Sequence, residues 1–494
     1  MNIGGKLREV SKNTSIYAIA SISQSAISFL LLPLYSREFS TSEYGSFALL
    51  QMFSTIASTI FYLGLNSALP RFYYEDGDRT RQNNVFNTVF FMTSGGAIVQ
   101  FLLSLVFART MSFHIVQNDS LVSHVVLIFL ASAIAMVNQV LITQMRLLDF
   151  TFPIALASVL STATSVGLSF VLVVKANMGV LGPIYAGLIA HATCFFIYLK
   201  YCKNEISTRF KFVEVKGLLV FGISAVFVGI ATMTIEWSDR LMIKHFLTLA
   251  EVGIYSFIFR IGSMIGPLFV NPFSYAWGPM MMRSREDGNQ SEFVSFVICL
   301  YFFASAVLVI SAACFIRTII LIVTGKPEYI AASGLVPIVL AGTLFNGLNN
   351  IASTGIFYSK KTHLLAIAYY SGAIISVSLN LVLISRLGMV GSALSNLVTN
   401  SIIPVMVGAL AWKYFPIHLP YRRIGLLFVV TVFSGLLTQR VWTESQIYDA
   451  LLKIVFLLLF VGASFLITFS SEQRWKILRI VFARFALIRQ KILI

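Results

Sequence analysis

The sequence predicts an all-α integral membrane protein with about 14 transmembrane helices. Three observations point to this class: 57% of the 494 residues are hydrophobic, only 11% are charged, and the mean hydropathy is +0.84. Soluble globular domains carry about 25% charged residues. Because lipid offers the backbone no hydrogen-bond partners, each long apolar run is expected to form a helix. The runs are continuous rather than alternating, which excludes a transmembrane β-barrel.

Each long apolar run can cross the bilayer hydrocarbon, which is about 30 Å thick and takes roughly 20 helical residues. The first run follows basic residues and is too long for the core of a signal peptide, so it is predicted to be a retained helix. The predicted helices cover residues 14–36, 43–64, 82–108, 121–145, 153–174, 179–199, 217–237, 252–273, 293–316, 331–356, 364–385, 390–412, 424–441 and 450–470.

The charge distribution predicts that both termini are cytoplasmic. With an even number of helices, 25 of the 36 Lys and Arg residues fall on the side of the N-terminus, and Arg260 lies within a helix. This asymmetry follows the positive-inside rule. It accounts for the net charge of +16 without a nucleic-acid partner. The basic segment 474–491 is predicted to lie on anionic lipid.

Two sequence markers recur and indicate an internal duplication. REFSTSEYG at 37–45 resembles KHFLTLAEVG at 244–253, and MGVLG at 178–182 resembles LGMVG at 387–391. The two markers are displaced by nearly the same distance along the chain, 208 and 209 residues. An even number of helices in each copy gives both copies the same orientation, so the predicted pseudo-two-fold axis runs along the membrane normal.

The duplication defines the predicted domains. Residues 1–211 and 212–415 form two six-helix lobes, and residues 416–494 add two helices and a basic cytoplasmic tail. Two parallel halves indicate a transporter that works by alternating access around a cleft between them. The sequence contains no Walker A, HExxH or GxSxG motif, so neither enzyme activity nor a cofactor is expected.

The cysteines show no metal-ligand spacing and are predicted to be small apolar fillers. They are Cys194, Cys202, Cys299 and Cys314. Because the sequence has no Walker A motif, energy for transport is expected from an ion gradient, from the membrane potential, which is worth about 2.3 kcal/mol per charge per 100 mV, or from downhill consumption of the product outside.

Arg260 is the most informative polar residue within a predicted helix. An arginine at the bilayer centre costs about 2.5–3.5 kcal/mol on the insertion scale, so it needs a partner, a cavity or a ligand. Ser256, Ser263 and Pro267 lie on the same helical face. Two interpretations stay open: Arg260 binds an anionic group of the substrate, or it pairs with a carboxylate or extends to the interface.

Two acidic residues near the end of the seventh predicted helix, Glu236 and Asp239, are candidates for taking up a coupling H⁺ or Na⁺. The alternative is an exposed cluster at the outer interface. In that arrangement Glu236 pairs with Arg240 four residues later, and Trp237 lies in the aromatic belt.

Further polar and basic residues mark other predicted helices. Such side chains bind sugar hydroxyls or phosphates, but amides and hydroxyls also hold helices together at about 0.6 kcal/mol per contact, and both interpretations stay open. The predicted substrate-binding residues are Arg260, Arg37, Arg146, Asn346, Asn350 and Gln24.

Several segments together resemble the polysaccharide-repeat flippases. They are PLYSR at 33–37, EYGSFALL at 43–50, LGLNSA at 63–68, QMR at 144–146, DR at 239–240 and EVGIY at 251–255, followed by Arg260. The resemblance implies the fold of the multidrug/oligosaccharidyl-lipid/polysaccharide exporters, with two six-helix lobes around a central cavity. Many flippases of O-antigen units have 12 helices rather than 14, which leaves the subfamily open.

The resemblance also implies a function. Members of this group carry undecaprenyl-diphosphate-linked oligosaccharides, the repeat units of O-antigen in lipopolysaccharide, of capsule or of exopolysaccharide, across the bacterial inner membrane. Basic cavity residues of such flippases meet the lipid phosphates, a role implied here for Arg260 and Arg37. The implied partners are the lipid-linked glycan, membrane lipids, H⁺ or Na⁺, and glycan polymerases or glycosyltransferases.

Other classes of protein fit the sequence less well. A small-molecule or multidrug cation antiporter of the same fold is the main alternative, and it would need a more acidic and aromatic pocket. A glycan polymerase or ligase is disfavoured because the predicted outer loops are short. A major-facilitator transporter would carry a signature between its second and third helices, of which residues 76–81 hold only a fragment.

Overall fold

The computed structural model describes residues 29–475, with breaks at 76–77, 117–120, 209–210, 284–289, 360, 417–419 and 439–445, and also residues 477 and 479. Every regular element in these ranges is helical. The predicted first helix, α1, is described only at its end, over 29–38. The predicted site residue Gln24 lies outside the described residues.

Thirteen further helices in the described ranges are long and apolar enough to cross a membrane. They are α2 (Thr41–Tyr73), α3 (Arg79–Ile115), α4 (Val122–Leu147), α5 (Thr151–Lys175), α6 (Leu181–Cys202), α7 (Val215–Phe246), α8 (Leu249–Gly278), α9 (Glu292–Thr324), α10 (Ser333–Tyr358), α11 (His363–Leu387), α12 (Met389–Trp412), α13 (Tyr421–Thr438) and α14 (Tyr448–Thr468). Each of the predicted helices from the second to the fourteenth corresponds to one of them, in order.

Two helices extend furthest past their predicted ends, by nine residues each: α2 continues from 64 to Tyr73, and α7, which was predicted to end at residue 237, continues to Phe246. Sequence reasoning ended α7 where charged residues begin. The helix continues because two of those residues, Asp239 and Arg240, are buried and neutralise each other, as described below.

Three of the long helices are interrupted. α2 breaks at Leu63 and Gly64, whose φ angles are 54° and 65°. α8 contains a π-helical turn, Gly266–Val270, which includes Pro267. α10 is assembled from shorter helical pieces, among them Val336–Gly347. Such interruptions are tolerated in membrane helices where other groups satisfy the freed backbone atoms.

The chain forms two compact units. The first comprises residues 1–257 and 369–392, and in it α4 packs on α3 and α6, and α5 packs on α6. The second comprises residues 258–368 and 393–494, and in it α9 packs on α10, α13 and α14. The lobe boundaries at 211 and 415 stay a prediction.

The two copies of the first sequence marker form the same local structure. At the start of α2, the backbone N–H of Ser40 donates to Glu43 Oε2 (2.8 Å), and the N–H of Glu43 donates to Ser40 Oγ (3.2 Å). At the start of α8, the N–H of Thr248 donates to Glu251 Oε2 (3.0 Å), and the N–H of Glu251 donates to Thr248 Oγ1 (3.3 Å). Both are capping boxes, so the duplicated sequence specifies duplicated helix starts.

The glycines of this marker bring α2 and α8 into direct backbone contact. A Cβ atom on Gly45 would lie 2.9 Å from the backbone nitrogen of Gly253, and a Cβ on Gly253 would lie 2.8 Å from the backbone nitrogen of Gly45. Small residues at membrane helix contacts permit this approach. Any side chain at either position would force the two helices apart.

We therefore expect Gly253→Ala to destabilise the protein by about 1–3 kcal/mol, the usual cost of overpacking. Gly167→Ala is the matched control, because a Cβ there meets nothing within 4 Å. The four buried cysteines provide the measurement, since a thiol-reactive dye labels them only as the protein unfolds. The expected result is a lower melting temperature in detergent for Gly253→Ala alone. Equal melting temperatures for the two variants would contradict the role of the glycine contact.

Candidate functional site

Arg260 lies in α8 with its side chain exposed. The neighbouring Gly262 faces α10, since a Cβ there would lie 2.9 Å from Val339 Cβ. Two residues along an α-helix correspond to a rotation of about 200°, so Arg260 points away from α10. The ion pairs found in the described ranges involve Arg79, Arg81, Arg240 and Lys453, and none involves Arg260.

The predicted asparagines of α10 differ in their contacts. Asn346 Nδ2 donates to Asn400 Oδ1 of α12 (3.1 Å), and Asn349 Nδ2 donates to Asn346 Oδ1 (3.0 Å). This network joins α10 to α12, so the amide of Asn346 serves helix packing. Asn350 is exposed, and its Nδ2 donates to Ser274 Oγ of α8 (2.6 Å). Asn350 is therefore the more accessible of the two predicted residues.

Arg37 and Arg146 are both exposed, and each lies near the C-terminal end of its helix, α1 and α4. If consecutive helices alternate in direction, α1 and α4 end on opposite sides of the membrane.

A buried ion pair lies within α7. Arg240 Nη1 is 2.8 Å from Asp239 Oδ1, and the two residues are 7% and 2% exposed. The backbone N–H of Arg240 donates to the same oxygen (2.8 Å), and the Arg240 guanidinium also donates to the backbone carbonyl of Glu236. The alternative of an exposed cluster with a Glu236–Arg240 pair is therefore wrong, because the pair lies inside the first unit and Asp239 is its acid.

Residues of the first unit from three other helices lie beside this pair. Ser392 Oγ of α12 donates to Asp239 Oδ2 (3.4 Å), and the Tyr255 ring of α8 lies 5.7 Å from the Arg240 guanidinium carbon. Next to them, Asn380 Nδ2 of α11 donates to Ser238 Oγ (2.9 Å). These contacts hold a charged pair in a buried position where an isolated charge would be very costly.

Glu236, the other predicted ion-coupling residue, has an exposed side chain one helical turn before Arg240. In the described part of the chain its carboxylate forms no ion pair. The two acidic residues, which the sequence did not distinguish, therefore differ in the structure. Asp239 is buried and paired with Arg240, whereas Glu236 is exposed.

An apolar cavity of about 380 Å³ lies in the second unit, between α9, α10, α12 and α13. Two of its polar groups are already bonded: Tyr301 Oη donates to the Leu344 carbonyl (2.8 Å), and Thr431 Oγ1 donates to the Leu427 carbonyl (2.7 Å). Helix α13 forms one wall of this cavity. Three of its lining side chains are also exposed on the protein surface by 47% or more: Phe428, Val432 and Leu436. A hydrocarbon chain suits such a space better than water.

Sequence reasoning missed the partners of Asp239 and Arg240, namely Tyr255 and Ser392, and it missed the cavity. The one available signal was an isolated Asp-Arg pair next to an apolar run. The cavity could not be predicted, because an apolar helix face has the same sequence pattern whether it contacts a neighbouring helix, lipid or an empty space.

A family model described as polysaccharide biosynthesis protein matches residues 10–285, and the chain belongs to this family. An uncharacterized membrane protein of Haemophilus influenzae (strain Rd) is 24% identical over 283 residues. That match covers 56% of this chain and 66%, just under two thirds, of the relative.

Solved structures share the fold. The lipid II flippase MurJ in an inward closed conformation is 14% identical, with a TM-score of 0.72 over 92% of this chain and 97% of its own. An inward-facing multidrug resistance MATE family transporter of the MOP superfamily is 14% identical, with a TM-score of 0.62 over 83% of this chain and 99% of its own. These matches confirm the predicted exporter fold. The chain is a multi-pass membrane protein with the fold of lipid flippases and drug transporters.

Proposed function

We propose that this protein moves an undecaprenyl-diphosphate-linked oligosaccharide from the cytoplasmic to the outer leaflet of a bacterial inner membrane, by alternating access. The observation that carries the proposal is the exposed guanidinium of Arg260 within a candidate membrane span, for which the described ion pairs supply no acid. Such a cation is too costly to keep in a membrane without a function. An anionic substrate supplies the missing counter-charge.

The energetics of the substrate support this assignment. A diphosphate crossing hydrocarbon unpaired would face a barrier of tens of kcal/mol in the ideal limit. Arg260 lowers that barrier, because a guanidinium binds phosphate oxygens through two parallel hydrogen bonds. Exposed amides such as Asn350 replace water on the sugars. The dry cavity between α9, α10, α12 and α13 accepts part of the isoprenoid chain.

The family supports a role in polysaccharide biosynthesis, and O-antigen, capsule and exopolysaccharide units share the same carrier chemistry. The glycan polymerases and glycosyltransferases that consume and supply such units are the protein partners we propose. Coupling to H⁺ or Na⁺ at Glu236 provides the driving force, because this carboxylate is open. Uptake of a cation by Asp239 would require Arg240 to leave it.

We expect Glu236→Gln to reduce transport about tenfold and to remove its dependence on an imposed ion gradient, because the amide cannot exchange a cation. Transport is measured in vesicles with a Na⁺ gradient or a proton gradient. The matched control is Glu251→Gln, which changes an acid of a capping box at the start of α8. A Glu236→Gln variant that still responds to the same gradient would rule out coupling at this residue.

The proposed function is tested directly by reconstituting the purified protein in proteoliposomes. Undecaprenyl-diphosphate-linked glycan is placed in one leaflet, and its arrival in the other is read by an impermeant sugar-modifying enzyme. A fluorescent multidrug cation is assayed in parallel. Translocation of the lipid-linked glycan is expected. Transport of the cation alone would favour the antiporter alternative. In that case the exposed carboxylate of Glu236 would bind the transported cation.

A further inference from the structure

Helix α14 ends in a bend that aromatic side chains fix to α9. Phe469, which follows α14, is 2% exposed. Its ring centroid lies 5.6 Å from that of Phe303 and 6.0 Å from that of Phe296, both on α9. Beyond the bend, the backbone N–H of Ser470 donates to Gln473 Oε1 (3.0 Å), and the N–H of Gln473 donates to Ser470 Oγ (3.3 Å). This capping box starts a new helical segment directly after the bend.

A groove of about 290 Å³ lies at this bend. Its apolar lining residues are Phe465, Leu466 and Trp475, of which Leu466 is 58% and Trp475 is 75% exposed. Its polar lining residues are Ser471 and Arg474. Arg474 Nη2 donates to Ser471 Oγ (3.1 Å), which holds the guanidinium at the groove. The ion pairs found in the described ranges do not include Arg474.

The sequence after the bend carries positive charges only. Residues 474–494 contain six Lys and Arg residues and no Asp or Glu. The charge distribution predicts that this end of α14 faces the cytoplasm. Basic residues directly after a membrane helix attract the anionic lipids of the cytoplasmic leaflet, and tryptophan favours the level of the lipid headgroups. The surroundings of the groove therefore suit an anionic headgroup attached to a hydrocarbon chain.

We propose that the groove at the α14 bend binds one anionic phospholipid of the cytoplasmic leaflet, with its phosphate on Arg474 and the start of an acyl chain along Trp475 and Leu466. A guanidinium has five N–H donors, so Arg474 keeps donors for phosphate oxygens beside its bond to Ser471. The lipid attaches the end of α14 to the leaflet and is not transported, so this site does not depend on the proposed function.

The experiment uses the fluorescence of Trp475 in the full-length protein, reconstituted in phosphatidylcholine vesicles. The probes are brominated phosphatidylglycerol and brominated phosphatidylcholine, whose chains quench a tryptophan on contact. The contribution of Trp475 is the difference between the parent and Trp475→Phe. Trp412, an exposed tryptophan at the end of α12, is measured in the same way as the matched position. In high salt, which screens diffuse attraction, we expect phosphatidylglycerol to be preferred at Trp475 and not at Trp412.

Arg474→Gln is expected to lower this preference about tenfold, the size of one charge-assisted hydrogen bond. Arg479→Gln is the matched control, because it removes an exposed arginine of the same segment that does not line the groove. Arg474→Lys keeps the charge without the planar guanidinium and should keep part of the preference. Its partial activity separates the loss of a phosphate contact from a local loss of structure.

Equal quenching of Trp475 by the two lipids in the parent protein would overturn the proposal. Equal losses in Arg474→Gln and Arg479→Gln would also overturn it, because they would indicate diffuse attraction to a basic surface. Inorganic phosphate at the same ionic strength is expected to leave the preference unchanged; if it abolishes the preference, the groove binds free phosphate and not a lipid. Displacement of phosphatidylglycerol by an equal amount of undecaprenyl diphosphate would assign the groove to that lipid instead.

Discussion

Replacing Arg260 with alanine is expected to abolish glycan export while leaving membrane insertion and stability intact. The guanidinium is exposed, so its loss leaves no buried group unpaired. In contrast, the diphosphate loses the cation that offsets its removal from water. One charge-assisted contact is worth about 1.5–3 kcal/mol, which corresponds to at least a tenfold loss in transport. The effect is measured as export of the surface glycan in a flippase-deficient strain, with protein abundance in the membrane recorded in parallel.

Two further variants make this result specific. Arg260→Lys keeps the positive charge but loses the planar guanidinium, which can bind two oxygens at once. Partial transport activity is expected if Arg260 contacts one phosphate oxygen, and no activity is expected if it contacts two. Arg386→Ala is the control, because it removes another exposed arginine, at the end of α11. Full complementation by Arg260→Ala would refute the proposed substrate-binding role of this residue.

The architecture was largely predictable because lipid imposes a simple rule. Continuous apolar runs must be helices. The predicted helices from the second to the fourteenth each coincide with a described helix of membrane-spanning length, and the described end of the first is also helical. The duplicated Glu-x-Gly marker also has a structural role that the sequence alone did not predict. Its glutamates form two capping boxes, and its glycines, Gly45 and Gly253, contact each other.

The polar interior was less predictable, because a sequence does not show which polar side chains face one another. Asn346 reads as a sugar ligand, but it bonds to Asn400, which is 54 residues away along the chain. Arg240 reads as an exposed partner of Glu236, but helix α7 carries it into the protein beside Asp239. Both outcomes depend on contacts between helices, which local spacing cannot reveal.

Replacing Asp239 with asparagine is expected to destabilise the protein by about 3–5 kcal/mol, the cost of leaving a buried charge without its partner. Arg240 is 7% exposed and would keep its charge in this buried position after losing the Asp239 carboxylate. The dye assay of the four buried cysteines measures the fall in melting temperature. Glu236→Gln is the matched control: it removes an exposed carboxylate of the same helix and should leave the melting temperature unchanged.

The double variant Asp239→Asn/Arg240→Met separates pairing from other roles of Asp239. Because both charges are removed together, we expect it to recover much of the stability that the single variant loses. Its transport rate then reports on coupling alone. If a stable double variant still transports with an unchanged ion dependence, the pair is structural and Glu236 carries the coupling. If the double variant is as unstable as the single one, Asp239 stabilises the fold through Ser392 and the backbone rather than through Arg240.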